Sequence, residues 1–430
     1  MWRENLYTYD DILNTFNLWE KEIVDRNIPP GSVVGLSGDY SLSTCALLLA
    51  LINAGAIVVP LTEAVKAHRS EFMEIAEVQY LFTFDINDKW LLEKRKQSIT
   101  NPLSMELIKK KSPGLILFSS GSTGKSKAAL HDFHKILEKF KLPRNKMRTL
   151  NFLLFDHIGG LNTFFYTVSN GGMIVTTSSR EPENICRLIE KFKIELLPTT
   201  PTFLTLLLLS EVYKDFDLNS LRLITYGTEP MTESILQKLN NVLPKARLLQ
   251  TYGLSELGIL RSKSKTSDSL WVKVGGEGFE TKVVNGILWI RAESAMLGYL
   301  NRDNPFTDDG WFITGDEVEV KGDYIRILGR DSDVINVGGQ KVYPAEVENI
   351  IQLMDNVENV VVCSESNQIV GQIVKATVKL KEKENPVEFR KRLKRFCKDH
   401  LSSYKVPQKV VLSKENLHGE RFKKKRILKS

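Results

Sequence analysis

The 430-residue sequence has little of what marks several classes of protein. Its 4 cysteines form no CxxC pair, which excludes a disulfide framework and a zinc ribbon and favours a reducing compartment. Its longest apolar run, 45–61, is interrupted and falls short of the about 20 residues that span a bilayer. The polar start, MWRENLYTYDD, lacks the basic and apolar segments of a signal peptide. From these absences we expect a cytoplasmic protein without a membrane span.

The composition is that of a folded globular protein, with 42% hydrophobic and 26% charged residues. At about 150 residues per domain, the length predicts two or three domains. The net charge of +7 arises from 59 Lys and Arg against 52 Asp and Glu, and 6 of the last 10 residues are basic. Such a terminus can meet nucleic acid, an acidic membrane or a phosphate-bearing ligand. Only the ligand gains support from the rest of the sequence, so we expect no nucleic-acid partner.

Two periodicities alternate along the first third of the chain. Segments 32–38, 56–61 and 79–85 are strand-like, whereas 42–54 and 63–78 have helical spacing. This alternation is typical of βαβ units and a mostly parallel sheet. After about residue 260 the pattern changes to short strands, predicted at 273–284, 287–291, 311–314, 317–321 and 324–328, which are separated by Gly, Asn and Asp as antiparallel hairpins require.

The last hundred residues have a mixed pattern of their own. We predict helices at 344–353 and 386–400 and strands at 357–363 and 372–379, after a polar turn that begins at Gly329. The predicted fold is therefore α/β: a large N-terminal domain, 1–329, of βαβ-built parallel sheets plus a small antiparallel β part, followed by a smaller α+β C-terminal domain, 330–430.

Two strands in the middle of the chain, 221–225 and 247–251, each run into a Tyr-Gly turn that contains an acid. The two turns are Tyr226-Gly227-Thr228-Glu229 and Tyr252-Gly253-Leu254-Ser255-Glu256. In a right-handed βαβ unit both strands point the same way, so both turns emerge at the carboxyl edge, where open α/β sheets bind ligands. We expect the two tyrosines and the two acids to converge on one cleft.

A loop of small, hydroxylated and basic residues follows the apolar strand 115–118. Such a loop offers backbone N–H groups and hydroxyls to an anion. The triplet Gly124-Lys125-Ser126 matches the end of the Walker loop, GxxxxGK[ST], but Ser119 stands where that motif needs its first glycine. We therefore predict a phosphate-binding loop of another kind.

Four ordered motifs resemble those of the adenylate-forming superfamily, which includes acyl- and aryl-CoA synthetases, peptide-synthetase adenylation domains and luciferases. The segment 119–127 resembles its signature loop, and 251–256 resembles its YGxTE motif. The segment 313–316 resembles its TGD motif, and 329–348 resembles its hinge and thioester-forming loop. The resemblance implies a mobile C-terminal domain, with Ser332 at the hinge position.

The resemblance also implies a two-step reaction. A carboxylate attacks the α-phosphate of ATP to give an acyl-adenylate and pyrophosphate, and the thiol of coenzyme A then takes the acyl group. Positioning and charge neutralisation, with Mg²⁺, account for the residue types of the motifs. The alternative is a stand-alone adenylation enzyme that loads an acyl, aryl or amino acid onto the phosphopantetheine of a carrier protein. A third possibility, a catalytically weakened nucleotide-binding module, also stays open.

Carried over residue by residue, the resemblance predicts a cofactor site. The predicted phosphate loop comprises Ser119, Ser120, Gly121, Ser122, Thr123, Gly124 and Lys127. The predicted Mg²⁺ ligand and catalytic acid is Glu256, and Ser255 contacts the α-phosphate. Asp316 and Arg330 bind the ribose, while Tyr252, Gly253 and the turn Tyr226-Gly227-Thr228-Glu229 flank the adenine. Gly338, Gly339 and Lys341 line the thiol tunnel.

Histidines near these motifs have two readings each. His157 resembles the residue that borders the acyl pocket in CoA-forming members, or it lies at a helix start; the adjacent Asp156 resembles the acid that holds the ammonium group in amino-acid-activating members. His131 and His134 have the spacing of a metal pair, but without a third ligand we expect an ordinary helix face.

The basic tail departs from the family pattern, in which a GKxxR-like segment supplies a lysine that bridges the carboxylate and the α-phosphate. The glycine is missing here. Lys423 keeps the three-residue spacing to Arg426, whereas counting from Leu417 favours Lys424. We assign the catalytic role to Lys423, with Lys424 as its alternative. The remaining possibility is that the tail is exposed to solvent and has no catalytic role.

Overall fold

The computed structural model describes residues 1–120, 126–177, 179–367, 371–415 and 417. Helices in this part of the chain are α1 Tyr9–Asp25, α2 Leu42–Asn53, α3 Arg69–Ile75, α4 Pro102–Lys109, α5 Phe133–Glu138, α6 Ile158–Ser169, α7 Pro182–Phe192, α8 Pro201–Ser210, α9 Glu233–Val242, α10 Pro344–Gln352 and α11 Pro386–His400. Several begin at a side chain that accepts a backbone N–H: Ser41 caps α2, His157 caps α6 and Thr200 caps α8. No helix among the described residues combines the length and apolar character needed to cross a membrane.

The first sheet has a parallel centre and antiparallel edges. Its strands are β1 Val33–Ser37, β2 Ile57–Leu61, β3 Tyr80–Phe84, β4 Trp90–Lys94, β5 Gly114–Ser120, β6 Ser126–Asp132 and β18 Gly298–Tyr299, in the order β18-β6-β5-β2-β1-β3-β4. Strands β1, β2, β3 and β5 are parallel, as the alternating pattern predicted. Their apolar residues are buried on both faces because helices cover the sheet.

The second sheet is parallel throughout. Its strands are β7 Arg148–Asn151, β8 Met173–Thr176, β9 Leu196–Thr199, β10 Leu223–Tyr226 and β11 Arg247–Gln250, in the order β11-β10-β9-β7-β8. Helix α9 connects β10 to β11 and buries Ile235, Leu236 and Leu239. Both strands therefore end at the same edge, as predicted.

The third sheet is antiparallel and follows the small hairpin β12 Gly253–Leu254 and β13 Gly258–Ile259. Its strands are β14 Ser262–Ser264, β15 Val272–Val274, β16 Phe279–Val284, β17 Ile287–Ala292, β19 Phe312–Lys321 and β20 Tyr324–Arg330. The C-terminal sheet contains β21 Ile335–Val337, β22 Gln340–Val342, β23 Val357–Asn367, β24 Gly371–Leu380 and β25 Lys409–Leu412. It carries α10 and α11 and has its own apolar core. The predicted α/β class with a smaller α+β C-terminal part is confirmed, whereas the division at 329/330 stays a prediction.

Three local expectations were wrong. The segment 63–78 is a 3-10 turn, Glu63–His68, followed by α3 rather than one helix. The expected strand 273–284 is split into β15 and β16 because Gly275, Gly276 and Gly278 between them all adopt positive φ angles. The strands expected at 311–314 and 317–321 form one strand, β19, in which Gly315 provides the positive φ at the junction.

Candidate active site

The two Tyr-Gly turns lie side by side at the carboxyl edge of the second sheet. Tyr226 and Gln250 are partners at the ends of β10 and β11, and the Thr251 N–H donates to the Tyr226 carbonyl at 2.7 Å. A Cβ on Gly227 would lie 2.5 Å from the Thr251 carbonyl oxygen, so only glycine allows this approach. The next residue, Thr228, adopts φ +73°, a conformation that is uncommon for a residue with a Cβ and is often found at functional turns.

Tyr226 does not face a cleft, contrary to the prediction that all four side chains of these turns share one. Tyr226 is 1% exposed and lies in the core of the second sheet, since it takes an inward position of the alternating strand β10. Glu229 accepts a hydrogen bond from Thr202 on α8. Tyr252 and Glu256 are directed to different partners, which define two ends of a candidate nucleotide site.

One end is built around Asp316. The Tyr252 hydroxyl donates to Asp316 Oδ2, and Arg330 Nε lies 3.3 Å from Asp316 Oδ1. Asp316 and Arg330 are cross-strand partners in β19 and β20, which explains why residues 14 apart in sequence meet. Burial raises the pKa of Asp316, while the Arg330 charge and the Tyr252 hydrogen bond oppose that shift. Burial and the Asp316 charge likewise raise the pKa of Tyr252, which keeps its hydroxyl protonated.

The other end is built around Glu256. The Tyr299 hydroxyl donates to Glu256 Oε1 at 2.6 Å, and the Lys127 ammonium lies 5.5 Å from the centre of the Tyr299 ring. Burial, then the charge of Glu256, raises the pKa of Tyr299, so that this hydroxyl is a donor at neutral pH. Strand β18 holds Tyr299 opposite Ala129 of β6. A carboxylate, a tyrosine and a lysine therefore stand together at the end of the predicted phosphate loop.

A buried histidine supports the turn that carries Glu256. His131 is fully buried, and its Nε2 lies 2.7 Å from the Ser255 carbonyl oxygen. Burial lowers the pKa of His131 to about 4, so the ring is neutral and Nε2 carries the proton that the carbonyl accepts. The expectation of an ordinary helix face was wrong, because β6 continues through Asp132 and the extended backbone turns His131 inward. His134 is in α5, with Nδ1 3.0 Å from the Ser112 hydroxyl.

The phosphate loop connects two antiparallel strands. Ser119 pairs with Lys127 and Ser120 with Ser126 across β5 and β6. The predicted loop residues Gly121, Ser122, Thr123 and Gly124 lie outside the described residues, as do the tail residues Lys423 and Lys424. The hairpin places Ser119 and Lys127 at the two ends of the loop, and Lys127 faces Tyr299.

A cavity of about 90 Å³ opens beside the Tyr-Gly turns. His157, Gly227, Thr228 and Thr251 are among the residues that line it. His157 also caps α6, since its Nδ1 accepts the Gly159 N–H at 3.1 Å, so its position at a helix start is confirmed, while its role beside an acyl pocket stays a prediction. Asp156 is buried and its Oδ2 accepts a hydrogen bond from Thr62, while His157 rather than Asp156 contributes to the cavity wall.

The predicted thioester loop is the hairpin of β21 and β22. Gly338 and Gly339 form its two-residue turn with φ +56° and +87°, the combination that a tight hairpin needs. Lys341 Nζ donates to Glu317 at 3.0 and 3.2 Å, one residue after Asp316. Among the described residues no group of three His, Cys, Asp or Glu side chains could hold a metal ion.

The family models match two long segments of this chain. The model described as AMP-binding enzyme matches residues 2–300, and the model described as AMP-binding enzyme C-terminal domain matches residues 346–421. The first alone covers more than half of the sequence. The chain belongs to the AMP-binding enzyme family. The predicted membership of the adenylate-forming superfamily is confirmed.

Relatives of this AMP-binding enzyme include a 4-coumarate–CoA ligase-like protein of Arabidopsis thaliana, 24% identical over 94% of this chain and 81% of the relative. A 2-succinylbenzoate–CoA ligase of Bacillus licheniformis is 28% identical over 68% of this chain, and a long-chain-fatty-acid–CoA ligase of Haemophilus influenzae is 26% identical over 62%. These two matches span 64% and 48% of the relatives, less than two thirds of their length. The predicted enzyme class, an AMP-forming ligase of the CoA-synthetase type, is confirmed at the level of the family.

Solved structures support the fold. An anthranilate CoA ligase, crystallised with anthranoyl-AMP, superposes with a TM-score of 0.82 and 19% identity, over 99% of this chain and 92% of the other. At this identity the likeness concerns the fold alone. It agrees with the large N-terminal and smaller C-terminal arrangement of the AMP-binding enzyme.

Sequence reasoning missed three residues that the AMP-binding enzyme brings to the site: Tyr299, His131 and Lys139. Tyr299 follows a glycine, and a third Tyr-containing turn could have signalled it. His131 was considered only as a metal ligand. Lys139 gave no signal, because its position depends on the packing of α6 against the β12–β13 hairpin: its Nζ donates to Asn162 Oδ1 and to the Ile259 carbonyl.

Proposed function

We propose that this chain activates a carboxylic acid with ATP and transfers the acyl group to coenzyme A. The observation that carries the proposal is the segment Thr251–Glu256. Its tyrosine donates a hydrogen bond to Asp316, the predicted ribose-binding acid. Its glutamate, four residues later, accepts a hydrogen bond from Tyr299, whose ring faces Lys127. One turn thus links the predicted nucleoside end of the site to the predicted phosphate end.

Each end has the chemistry that its role requires. A buried carboxylate such as Asp316 can accept hydrogen bonds from a ribose diol, and Arg330 beside it adds donors to that side. Lys127 and Ser119, with the loop residues 120–124, supply cations and donors to the β- and γ-phosphates. Ser255 offers a hydroxyl to the α-phosphate.

Glu256 fits a magnesium role. It is half-buried, and one of its oxygens receives the Tyr299 hydroxyl, which orients the carboxylate. Mg²⁺ is commonly held by one or two carboxylates plus substrate phosphates, so a single protein acid suffices. When bound, the ion neutralises charge on the phosphates as pyrophosphate leaves.

The protein contributes positioning to both steps. In the first, a carboxylate oxygen forms a bond to the α-phosphorus, and the bond from that phosphorus to the pyrophosphate oxygen breaks. In the second, the thiol attacks the acyl carbon, AMP leaves and the thiol proton is lost. For the second step we assign Gly338, Gly339 and Lys341 to the thiol path, supported by the tight hairpin and by the contact of Lys341 with Glu317 next to Asp316.

The first half-reaction is tested by carboxylate-dependent exchange of labelled pyrophosphate into ATP. Wild-type protein should exchange label only when a suitable acid is present, and Glu256→Gln should lose most of this activity. Glu319→Gln is the matched control, because Glu319 is an exposed acid of β19 that faces Arg326. Absence of ATP uptake in titration calorimetry would contradict the proposal.

The acceptor is tested separately. Thioester formation with coenzyme A, without any carrier protein, is the expected result. Label transfer to a phosphopantetheinylated carrier but not to coenzyme A would instead identify the carrier-loading alternative. A cytoplasmic location, where ATP and coenzyme A are both present, is part of the proposal.

A further inference from the structure

The cavity beside the Tyr-Gly turns is small, and several threonines are among the residues that line it. Its volume is about 90 Å³, room for on the order of six water-sized groups. Apolar residues such as Phe152 and Pro198 line it together with threonines. The threonines of its wall are Thr163, Thr199, Thr200, Thr225, Thr228 and Thr251. A long alkyl chain exceeds this space, and a short acyl group fits it.

One of these threonines has an unused hydroxyl. Thr199, at the end of β9, is 5% exposed, and its Oγ1 is buried without a hydrogen-bond partner among the described residues. A buried polar group left unpaired costs about 1–3 kcal/mol. Thr199 is also a lining residue of the cavity, so a rotation that brings its Oγ1 to a hydrogen-bonding atom of a bound ligand would remove this cost.

A half-buried cation, Lys139, contacts two residues of the cavity wall. Lys139 Nζ donates to Asn162 Oδ1 at 2.5 Å and to the Ile259 carbonyl at 2.9 Å, and both partners line the cavity. With its oxygen engaged by Lys139, the Asn162 amide keeps its Nδ2 donors for a further partner. Burial, with Arg261 nearby, lowers the pKa of Lys139 to about 8, so the amine is still mostly protonated at pH 7.

The wall therefore offers donors and positive charge. Asn162 contributes an amide and Thr199 a hydroxyl to the lining residues, and the Lys139 ammonium is hydrogen-bonded to Asn162. These features suit a hydrogen-bond acceptor on the substrate and oppose an ammonium group. Asp156, the acid that would favour an ammonium, already accepts from Thr62.

Resting on the proposed function, we propose that this cavity selects a short carboxylic acid that carries a hydrogen-bond acceptor, namely a keto, hydroxyl or second carboxylate group. Asn162 and Thr199 are the residues that contact this group. Lys139 is a positioning residue that acts through Asn162. Long-chain fatty acids and amino acids are excluded.

The test is pyrophosphate release with acids of matched size. Hexanoate, 4-oxopentanoate and 5-aminopentanoate have equal numbers of heavy atoms, as do heptanoate and glutarate, and 3-methylbenzoate and 3-hydroxybenzoate; dodecanoate probes length. We expect kcat/KM to be about tenfold higher for the best acceptor-bearing acid than for its matched partners, the value of one good hydrogen bond. Dodecanoate and 5-aminopentanoate should be inactive.

Variants of the cavity residues test which side chains produce the preference for acceptor-bearing acids. Asn162→Leu and Thr199→Val should each reduce the ratio between the acceptor-bearing acid and its apolar match. Lys139→Met should raise KM for the acceptor-bearing acid and leave KM for the matched alkanoate unchanged, which a purely structural loss would not do. Thr205→Val, on α8 and outside this cavity wall, is the control.

The outcomes separate the two proposals. If no acid of the panel supports ATP-dependent pyrophosphate release, the proposed function fails and this inference falls with it. If release occurs but alkanoates or dodecanoate are used as well as their acceptor-bearing matches, only this inference is overturned. A preference that survives in both Asn162→Leu and Thr199→Val would also overturn it, and the wild-type panel stands even where a variant does not fold.

Discussion

Tyr299 contacts both a carboxylate, Glu256, and an ammonium group, Lys127, at the predicted phosphate end of the site. Its hydroxyl donates to Glu256, while its ring faces the Lys127 ammonium. The hydroxyl orients a carboxylate that would otherwise rotate freely, and the ring holds a cation without neutralising it. In the proposed function, this arrangement leaves the Glu256 carboxylate available to Mg²⁺ and the Lys127 ammonium available to a phosphate.

Removing only the hydroxyl of Tyr299 tests whether it orients Glu256. Tyr299→Phe retains the ring and should lower kcat/KM for adenylation about tenfold or more, since a hydrogen bond to a charged group contributes about 1.5–3 kcal/mol. The concentration of Mg²⁺ that gives half-maximal pyrophosphate exchange should rise as well. Tyr324→Phe, on β20, is the control. An unchanged magnesium dependence would show that Tyr299 does not orient Glu256.

His131 makes stability depend on pH. Its pKa falls from 6.5 to about 4 on folding, so between these values the unfolded chain binds more protons than the folded one. Stability then rises with pH across this window, and acidification from pH 6.5 to 4 should cost on the order of 3 kcal/mol at this site. Urea unfolding at several pH values measures the effect.

His131→Gln is the matched comparison, since its amide can still donate to the Ser255 carbonyl but does not titrate. Its unfolding free energy should change less between pH 6.5 and 4 than that of the wild type. His131→Leu removes the donor and should destabilise the protein by about 1–3 kcal/mol at all pH values. Parallel pH profiles of wild type and His131→Gln would contradict the assignment.

At the scale of elements, the turns that follow β10 and β11 approach each other closely because Gly227 has no side chain. The Gly227 position leaves no room for a Cβ beside the Thr251 carbonyl. Gly227→Ala should therefore separate the two turns, lower the free energy of unfolding by about 1–3 kcal/mol and impair adenylation. Urea denaturation and pyrophosphate release report these two effects.

Gly322→Asn is the control, because Gly322 has a positive φ but open space around it, and asparagine tolerates that conformation. It should leave both quantities close to the wild-type values. A Gly227→Ala protein as stable and active as the wild type would show that the two turns can move apart without cost.

Helices and strands were predictable from the sequence where neighbouring residues determine them. Apolar periodicity and cap residues predicted α11 at its observed bounds and the parallel pair β10 and β11. Pairing between distant segments was not predictable: β18 joins β6 in register Tyr299 with Ala129, and no local pattern indicates that partner. Tyr299 and Lys139 were missed for this reason, whereas Asp316 and Glu256 stood inside recognisable motifs.

Side-chain direction was the other limit. The turns of Tyr226 and Tyr252 were correctly placed at one edge, but Tyr226 points into the core and Tyr252 toward Asp316. A shift of one residue along a strand reverses which face a side chain takes, so direction depends on where each strand ends. Element ends are the least predictable feature of a sequence.

At the scale of the whole molecule, the N-terminal and C-terminal parts meet beside the site. A cavity of about 360 Å³ is lined by Thr202 and Glu229 on one side and by Glu348 of α10 on the other. The Lys341–Glu317 pair is a second connection, and it is exposed on the lysine side. Polar contacts of this kind suit a joint that opens, since exposed ion pairs contribute little to stability.

The prediction for the tail lysines concerns which part of the chain supplies a cation to adenylation, the C-terminal part or the N-terminal part. If the C-terminal part supplies a cation to the first half-reaction, Lys423→Ala should lower adenylation about 100-fold, the value of one lost donor to a developing charge. Thioester formation from a chemically prepared acyl-adenylate should be unchanged, because that step no longer involves the α-phosphate attack. Lys424→Ala tests the alternative residue, and Lys429→Ala is the control. If both Lys423→Ala and Lys424→Ala adenylate at the wild-type rate, the assignment of the cation to these tail lysines is wrong, and Lys127, whose ammonium faces the Tyr299 ring, becomes a candidate.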